Sequence, residues 1–136
     1  MDFTTTLAVS ASGLKAQSDR MKTISENIAN ANSSASTAGG NPYRRQIPTM
    51  KSTFDRTLNA TVVKSGKPVS DNSAFRLQYD PGNPVADSKG YVKMPNVDSL
   101  TEIMDMREAQ RSYEAGLTVM DATKSMLANT INLLNK

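Results

Sequence analysis

The chain reads as a mainly α protein with a small β-containing middle. Its two long terminal helices are expected to pair as an antiparallel coiled coil, with short hairpins in the insert between them. Three observations predict this class. Leu7, Leu14, Met21 and Ile28 recur at seven-residue steps near one end, and Met106, Tyr113, Met120, Leu127 and Leu134 do so near the other. A seven-residue repeat keeps one narrow apolar stripe facing a partner helix. Between the ladders, prolines and glycines break residues 43–97 into short strand-like runs. Finally, aromatic residues make up only 5% of the chain and Trp is absent, which argues against a large self-contained core. Much of the stability is therefore expected on assembly.

Residues 3–31 read as one helix of roughly 45 Å. Asp2 or Thr4 is placed to cap its start, and the Asn/Ser-rich run from Asn30 stops it. Phe3, Ser10, Gln17, Ile24 and Ala31 interleave with the first ladder. Gly13, inside this helix, costs about 1 kcal/mol against Ala. It marks either a solvated turn or the close approach of a neighbouring helix. Residues 30–42, small, polar and rich in turn formers, read as a loop, and Pro42 holds Asn41 out of helix geometry. Strand-like runs follow at 60–63, 75–79 and 91–94, separated by Ser65-Gly66-Lys67-Pro68 and Asp80-Pro81-Gly82-Asn83-Pro84. Ser99 with Glu102 forms a capping box for the last helix, and Asp98 adds favourable charge at its start. That helix runs to about Leu134, with Gly116 as its weak point and Ile103, Gln110, Leu117, Lys124 and Ile131 as the interleaved row. The expected organisation is an N-terminal coiled-coil helix at 1–32, a loop and small β-rich outer segment at 33–97, and a C-terminal coiled-coil helix at 98–136. The first and last form one helical domain.

The net charge is +3, with no Cys and no His. Disulfides, thiolate zinc sites, thiol nucleophiles and the commonest general base are thereby excluded. No catalytic residue, cofactor or metal is expected. Asp98, Glu102, Asp105 and Glu108 read as a solvated acidic face at a helix start, not as paired catalytic carboxylates. The positive excess lies in the middle segment, where residues 33–97 carry nine basic and four acidic side chains. Arg44-Arg45 is its only adjacent basic pair, short of the cluster a nucleic-acid-tracking arm needs. No window reaches ~18 apolar residues, so no transmembrane helix is expected. The opening MDFTTTLAVSASGLKAQSDR lacks the basic and apolar regions of a cleavable secretory signal.

The candidate functional residues are those of a subunit-assembly surface. From the ladders they are Leu7, Leu14, Met21, Ile24, Ile28, Ile103, Met106, Tyr113, Leu117, Met120, Leu127, Ile131 and Leu134. Tyr43, Arg44 and Arg45 join them as a basic contact for the acidic surface of a neighbouring subunit, with the start of the last helix as the available partner. Met104, Met106, Met120 and Met126 put half of the eight methionines on the last helix, whether as ordinary core filling or as a surface for non-identical neighbours.

Several segments together resemble the bacterial flagellar rod and hook proteins. Ser10-Ala11-Ser12-Gly13-Leu14-Lys15-Ala16-Gln17 and Ile24-Ser25-Glu26-Asn27-Ile28-Ala29-Asn30-Ala31-Asn32 are similar to their N-terminal signature. Pro42-Tyr43-Arg44-Arg45, the 79–84 turn, Gly90–Asp98, Arg111-Ser112-Tyr113-Glu114-Ala115 and Ala122–Leu127 resemble a proximal-rod member of that family. The Ser33–Asn41 stretch is longer than in the wider family, a variant that itself resembles the proximal-rod member. The resemblance implies a non-enzymatic rod subunit that stacks helically, terminal helices inward and middle segment outward. Its implied partners are copies of itself, sister proximal-rod subunits, the membrane-ring adaptor, the distal rod protein and the flagellar type III export apparatus. It implies export into the rod crossing the periplasm without a cleaved signal, with no nucleic acid bound and no membrane insertion. Two alternatives are a needle or inner-rod subunit of another type III system, which has no need of the 43–97 insert, and a basic nucleic-acid-binding architectural protein.

Overall fold

The computed structural model describes residues 2–134. Helix α1 spans Phe3–Ala29 and helix α2 spans Ser99–Leu134. Between them lie β1 (Gln46–Ile47), β2 (Met50–Asp55), β3 (Ala60–Ser65), β4 (Val69–Ser70), β5 (Arg76–Tyr79) and β6 (Tyr91–Met94). The strands form three antiparallel pairs, β1 with β4, β2 with β3 and β5 with β6. Among the described residues, no helix is long and apolar enough to cross a membrane.

Local chemistry sets the boundaries. Asp2 caps α1, its carboxylate accepting the Thr4 hydroxyl and its carbonyl accepting the Thr6 N–H at 3.0 Å. Asn30 ends the helix by donating its side-chain amide to the Glu26 carbonyl at 2.8 Å. The start of α2 differs from the expected Ser99/Glu102 capping box. Asp98 is the cap, accepting the Leu100 N–H at 3.2 Å and the Thr101 hydroxyl at 2.6 Å, which releases Glu102 for other contacts. The β2–β3 turn is closed by Asp55, which accepts the Thr57 and Leu58 N–H groups, while Asn59 takes a left-handed φ of 47°.

The chain divides into two compact units, each taking part of both helices and part of the middle segment. The first comprises the chain up to Met21, Thr49–Lys67 and the chain from Arg107 on. Here the β3 edge lies on α1, with the Val63 N–H donating to Ser12 Oγ at 3.2 Å and Ser65 Oγ bonded to the Asp19 carboxylate. Ala16, Val62 and Ala109 are its most buried apolar side chains. Leu14 of α1 meets Gly116 of α2, and Arg20 meets Glu108 at 3.1 Å, so the helices run in opposite directions past each other within this unit. A Cβ on Gly116 would lie 2.8 Å from Leu14 Cδ2, whereas one on Gly13 meets nothing within 4 Å. The close helix approach considered for Gly13 is therefore made at Gly116, and Gly13 sits in open space.

The second unit comprises Lys22–Pro48 and Pro68–Met106. Its apolar centre is Ile24, Ala31, Val92, Pro95 and Val97. Arg76 fastens the end of α1 to the segment after β6, donating to the carbonyls of Ala31 (3.2 Å) and Pro95 (3.1 Å).

Candidate assembly site

Two features stand out against this scaffold: a buried polar knot in the second unit and the exposed apolar side chains of α2. The knot is built on Asn27 and Glu102, both fully buried. Asn27 uses its whole hydrogen-bonding capacity. Its amide donates to the Gln46 carbonyl at 2.8 Å and to Glu102 Oε2 at 3.0 Å. Its Oδ1 accepts the Tyr43 hydroxyl at 2.8 Å and the Gln46 N–H at 2.9 Å. The other oxygen of Glu102 accepts Arg45 Nε at 2.5 Å, and Arg45 also reaches Asp71 at 3.6 Å and Asp105 at 3.7 Å. The Arg45 backbone is held too, its N–H donating to Asn96 Oδ1 at 2.8 Å and its carbonyl accepting the Asp71 N–H at 2.8 Å. Arg44 lies over the Phe75 ring, 4.3 Å from its centroid, and donates to the Asp71 and Ser73 carbonyls.

The electrostatics follow from this packing. The hydrogen bond to Glu102 raises the Arg45 pKa further above its ordinary value. Burial raises that of Tyr43, helped by the charges of Glu26 and Glu102. The N–H and hydroxyl of Ser73 hold Asp71 below the ordinary carboxylate value, with Arg45 adding to the effect. The site is a half-buried cation held among three carboxylates, of which Glu102 is buried and Asp71 and Asp105 are partly exposed. One expectation is corrected here: Glu102 is buried and is not part of a solvated acidic face. Arg45 meets the acidic start of the last helix of its own chain.

Along α1, Leu7, Leu14, Met21 and Ile28 are half-buried and Ile24 is buried. Along α2, Met106, Tyr113, Met120 and Leu127 are half-buried. The positions that alternate with them on the covered side are Glu102, Ala109, Gly116 and Thr123, not the apolar row. Covered positions thus step by four and three residues along the helix, the spacing of a heptad seam. Ile103, Leu117 and Ile131 flank that seam on one side, 42%, 40% and 49% exposed, and Val119, Met126 and Leu133 are exposed on its other side. Leu134, in phase with the Met106 row at the end of the helix, is 80% exposed. Sequence reasoning missed Asn27 and Glu102 as site residues. Their signal was a polar residue standing in phase with each apolar stripe.

Residues 7–34 match the family described as Flagella basal body rod protein, and residues 88–133 match Flagellar basal body rod FlgEFG protein C-terminal. Most of both helices, and Asn27 with Glu102, fall inside these matches, which define a structural class of flagellar basal-body rod proteins, not enzymes. The chain is 49% identical to the flagellar basal-body rod protein FlgC of Agrobacterium fabrum, over 93% of this chain and 91% of that protein. It is 41% identical to FlgC of Bacillus subtilis, over 93% and 95%, and 38% identical to FlgC of Aquifex aeolicus, over 96% of each. The chain belongs to the FlgC family of flagellar basal-body rod proteins.

Proposed function

We propose that this rod protein is a subunit of the proximal rod that assembles helically through its terminal helices and passes torque from the membrane ring toward the distal rod and hook. The observation that carries the reading is the exposed apolar side chains that flank the covered stripe of α2, Leu117 and Ile131 on one side and Val119, Met126 and Leu133 on the other. Exposed apolar surface of this extent marks a protein interface. In this reading the heptad seam between α1 and α2 is an antiparallel coiled coil. Residues 1–32 and 98–136 form the inner layer of the rod, and 33–97 face outward. Covering these two flanks of α2 by neighbours, copies of the chain and sister rod subunits alike, supplies the burial that one chain lacks. The membrane-ring adaptor and the distal rod protein are the partners at the two ends. Delivery is through the flagellar type III apparatus into the periplasmic rod, with no signal removed.

The test is Ile131→Asp, a change at an exposed position that leaves the seam intact. The variant is expected to keep the helical circular dichroism of the parent but to be absent from purified basal bodies, leaving cells non-motile. Normal incorporation and swimming would overturn the assignment of this face.

A further inference from the structure

The two hairpins β2–β3 and β5–β6 each leave one strand edge open, and the two open edges are complementary. The β3 edge is covered by α1, and the Val63 N–H that reaches Ser12 points away from β2. Ser52 stands opposite Val63. Antiparallel strands alternate between pairs that exchange hydrogen bonds and pairs whose N–H and C=O groups point outward. The backbone groups of Ser52, and in the same phase those of Met50 and Phe54, therefore face out along the free edge of β2. Residues 50–54 are exposed throughout. On the other hairpin, the Asp80 N–H donates to the Gly90 carbonyl at 2.9 Å, which sets the phase so that Leu77 and Tyr79 point their backbone groups outward. Leu77 and Tyr79 are each 65% exposed. An open groove of about 440 Å³ runs beside β5, lined by Asn32, Arg76–Tyr79 and Met94.

We propose that β2 of one copy pairs antiparallel with β5 of a second copy of this chain, Ser52 opposite Tyr79 and Phe54 opposite Leu77. Both pairs then join outward-facing backbone groups, as the alternation requires. The same register sets Lys51 against Asp80, Asp55 against Arg76, and the exposed Phe54 ring against Leu77. The electrostatic demand is already present within the first hairpin. Lys51 stands directly opposite Lys64 in the β2–β3 ladder, and like charges placed so are destabilising. Of the five charged side chains in 49–67 only Asp55 is negative, and its carboxylate is engaged in its own turn. The carboxylate of Asp80 from the second copy relieves that repulsion. The product is a four-stranded intermolecular sheet in the order β3, β2, β5, β6. Because donor and acceptor edges differ, the contact is head-to-tail and propagates instead of closing as a dimer. The inference rests on the rod-subunit reading for the supply of aligned copies.

Since the chain contains no Cys, introduced thiols report without background. In the proposed register Thr53 faces Gln78 as a non-hydrogen-bonded pair, with Cα atoms about 4.5 Å apart, within the range a disulfide spans. Cells carrying Thr53→Cys with Gln78→Cys as their only copy are expected to yield a disulfide-linked ladder from oxidised basal bodies. Either single variant should give none. Lys51→Asp should abolish the ladder, and adding Asp80→Lys should restore it. Basal bodies that contain the double variant but show no ladder would overturn the strand pairing and leave the rod assignment standing. A Thr53→Cys homodimer would overturn it in favour of a two-fold β2–β2 contact. Absence of the parent protein from basal bodies, read in parallel, would overturn the rod reading and this inference with it.

Discussion

Replacing Asn27 with Ala would leave the Tyr43 hydroxyl, both backbone groups of Gln46 and one oxygen of Glu102 without their partner. Buried groups left unpaired in this way cost about 2–3 kcal/mol in all, so the melting temperature is expected to drop by several degrees; an unchanged value would contradict the role given to the side chain. Glu102→Ala takes from Arg45 the nearest of its three carboxylates, leaving Asp71 and Asp105, and takes an acceptor from the Asn27 amide; it is expected to cost about 1–2 kcal/mol. Chemical denaturation would measure it. The pH response has two limbs with worked signs. Asp71 and Asp98 are held below the ordinary carboxyl value of 3.8, Asp71 chiefly by Ser73 and Asp98 chiefly by the Thr101 hydroxyl. Their stabilisation is present above that value and is lost as the pH falls below it. Tyr43 is raised above 10.0, so its contribution is present below that value and is lost as the pH rises through the folded pKa. Thermal unfolding across the range should show a plateau between the limbs. Neither Asn27 nor Glu102 was legible as a pivot in the sequence. A polar residue in phase with an apolar stripe is indistinguishable from a solvated one until the loop at 43–46 is seen to close over it.

At the scale of the elements, the two helical glycines make opposite predictions. Gly13→Ala has open space for its Cβ and should stabilise by about 0.5–1 kcal/mol through helix propensity. At Gly116 the same change gains the same propensity but presses on Leu14, so Gly116→Ala should stabilise less than Gly13→Ala, and Gly116→Leu should destabilise. Shortening the neighbour with Leu14→Ala in the Gly116→Ala background separates the two contributions, measured as coupling in a double-mutant cycle. Both helices were legible nearly to the residue, because caps and periodicity agree: α2 begins at the expected Ser99 and α1 ends two residues short of the expected 31. The half-buried row Met106, Tyr113, Met120 and Leu127 was legible for the same reason. The row facing it was not. The covered positions are filled by Glu, Ala, Gly and Thr, while the bulkier Ile103, Leu117 and Ile131 stand at their flank, partly exposed. Periodicity alone assigns the larger side chain to the inside, but a close helix approach selects small ones.

At the largest scale, few apolar side chains among the described residues are fully buried, and they are mostly small: Ala16, Ile24, Ala31, Val62, Val92, Val97 and Ala109. A polar knot supplements that thin core, and the last turns of α2, where Leu133 and Leu134 are largely exposed, draw little from it. Hydrogen exchange in the free protein is therefore expected to be fast beyond about residue 128, with amides near Asn27, Arg45 and Val97 the slowest. In isolated basal bodies the terminal amides should become protected. Equal protection in both states would argue against ordering on assembly.

The knot also sets an order of events. Asn27 and Glu102 are 75 residues apart, and Arg45 and Glu102 are 57 apart. A ribosome delivers the chain from its N-terminus, so Asn27, Tyr43 and Arg45 are all made before the carboxylate that fastens them exists. Contacts this distant in sequence close late and slowly. Until then the loop from 30 to 46 is held by partners such as Asn27 and Asp71, without its buried carboxylate. The residue that completes the lock follows Arg45 by 57 positions, a built-in delay between being made and being rigid.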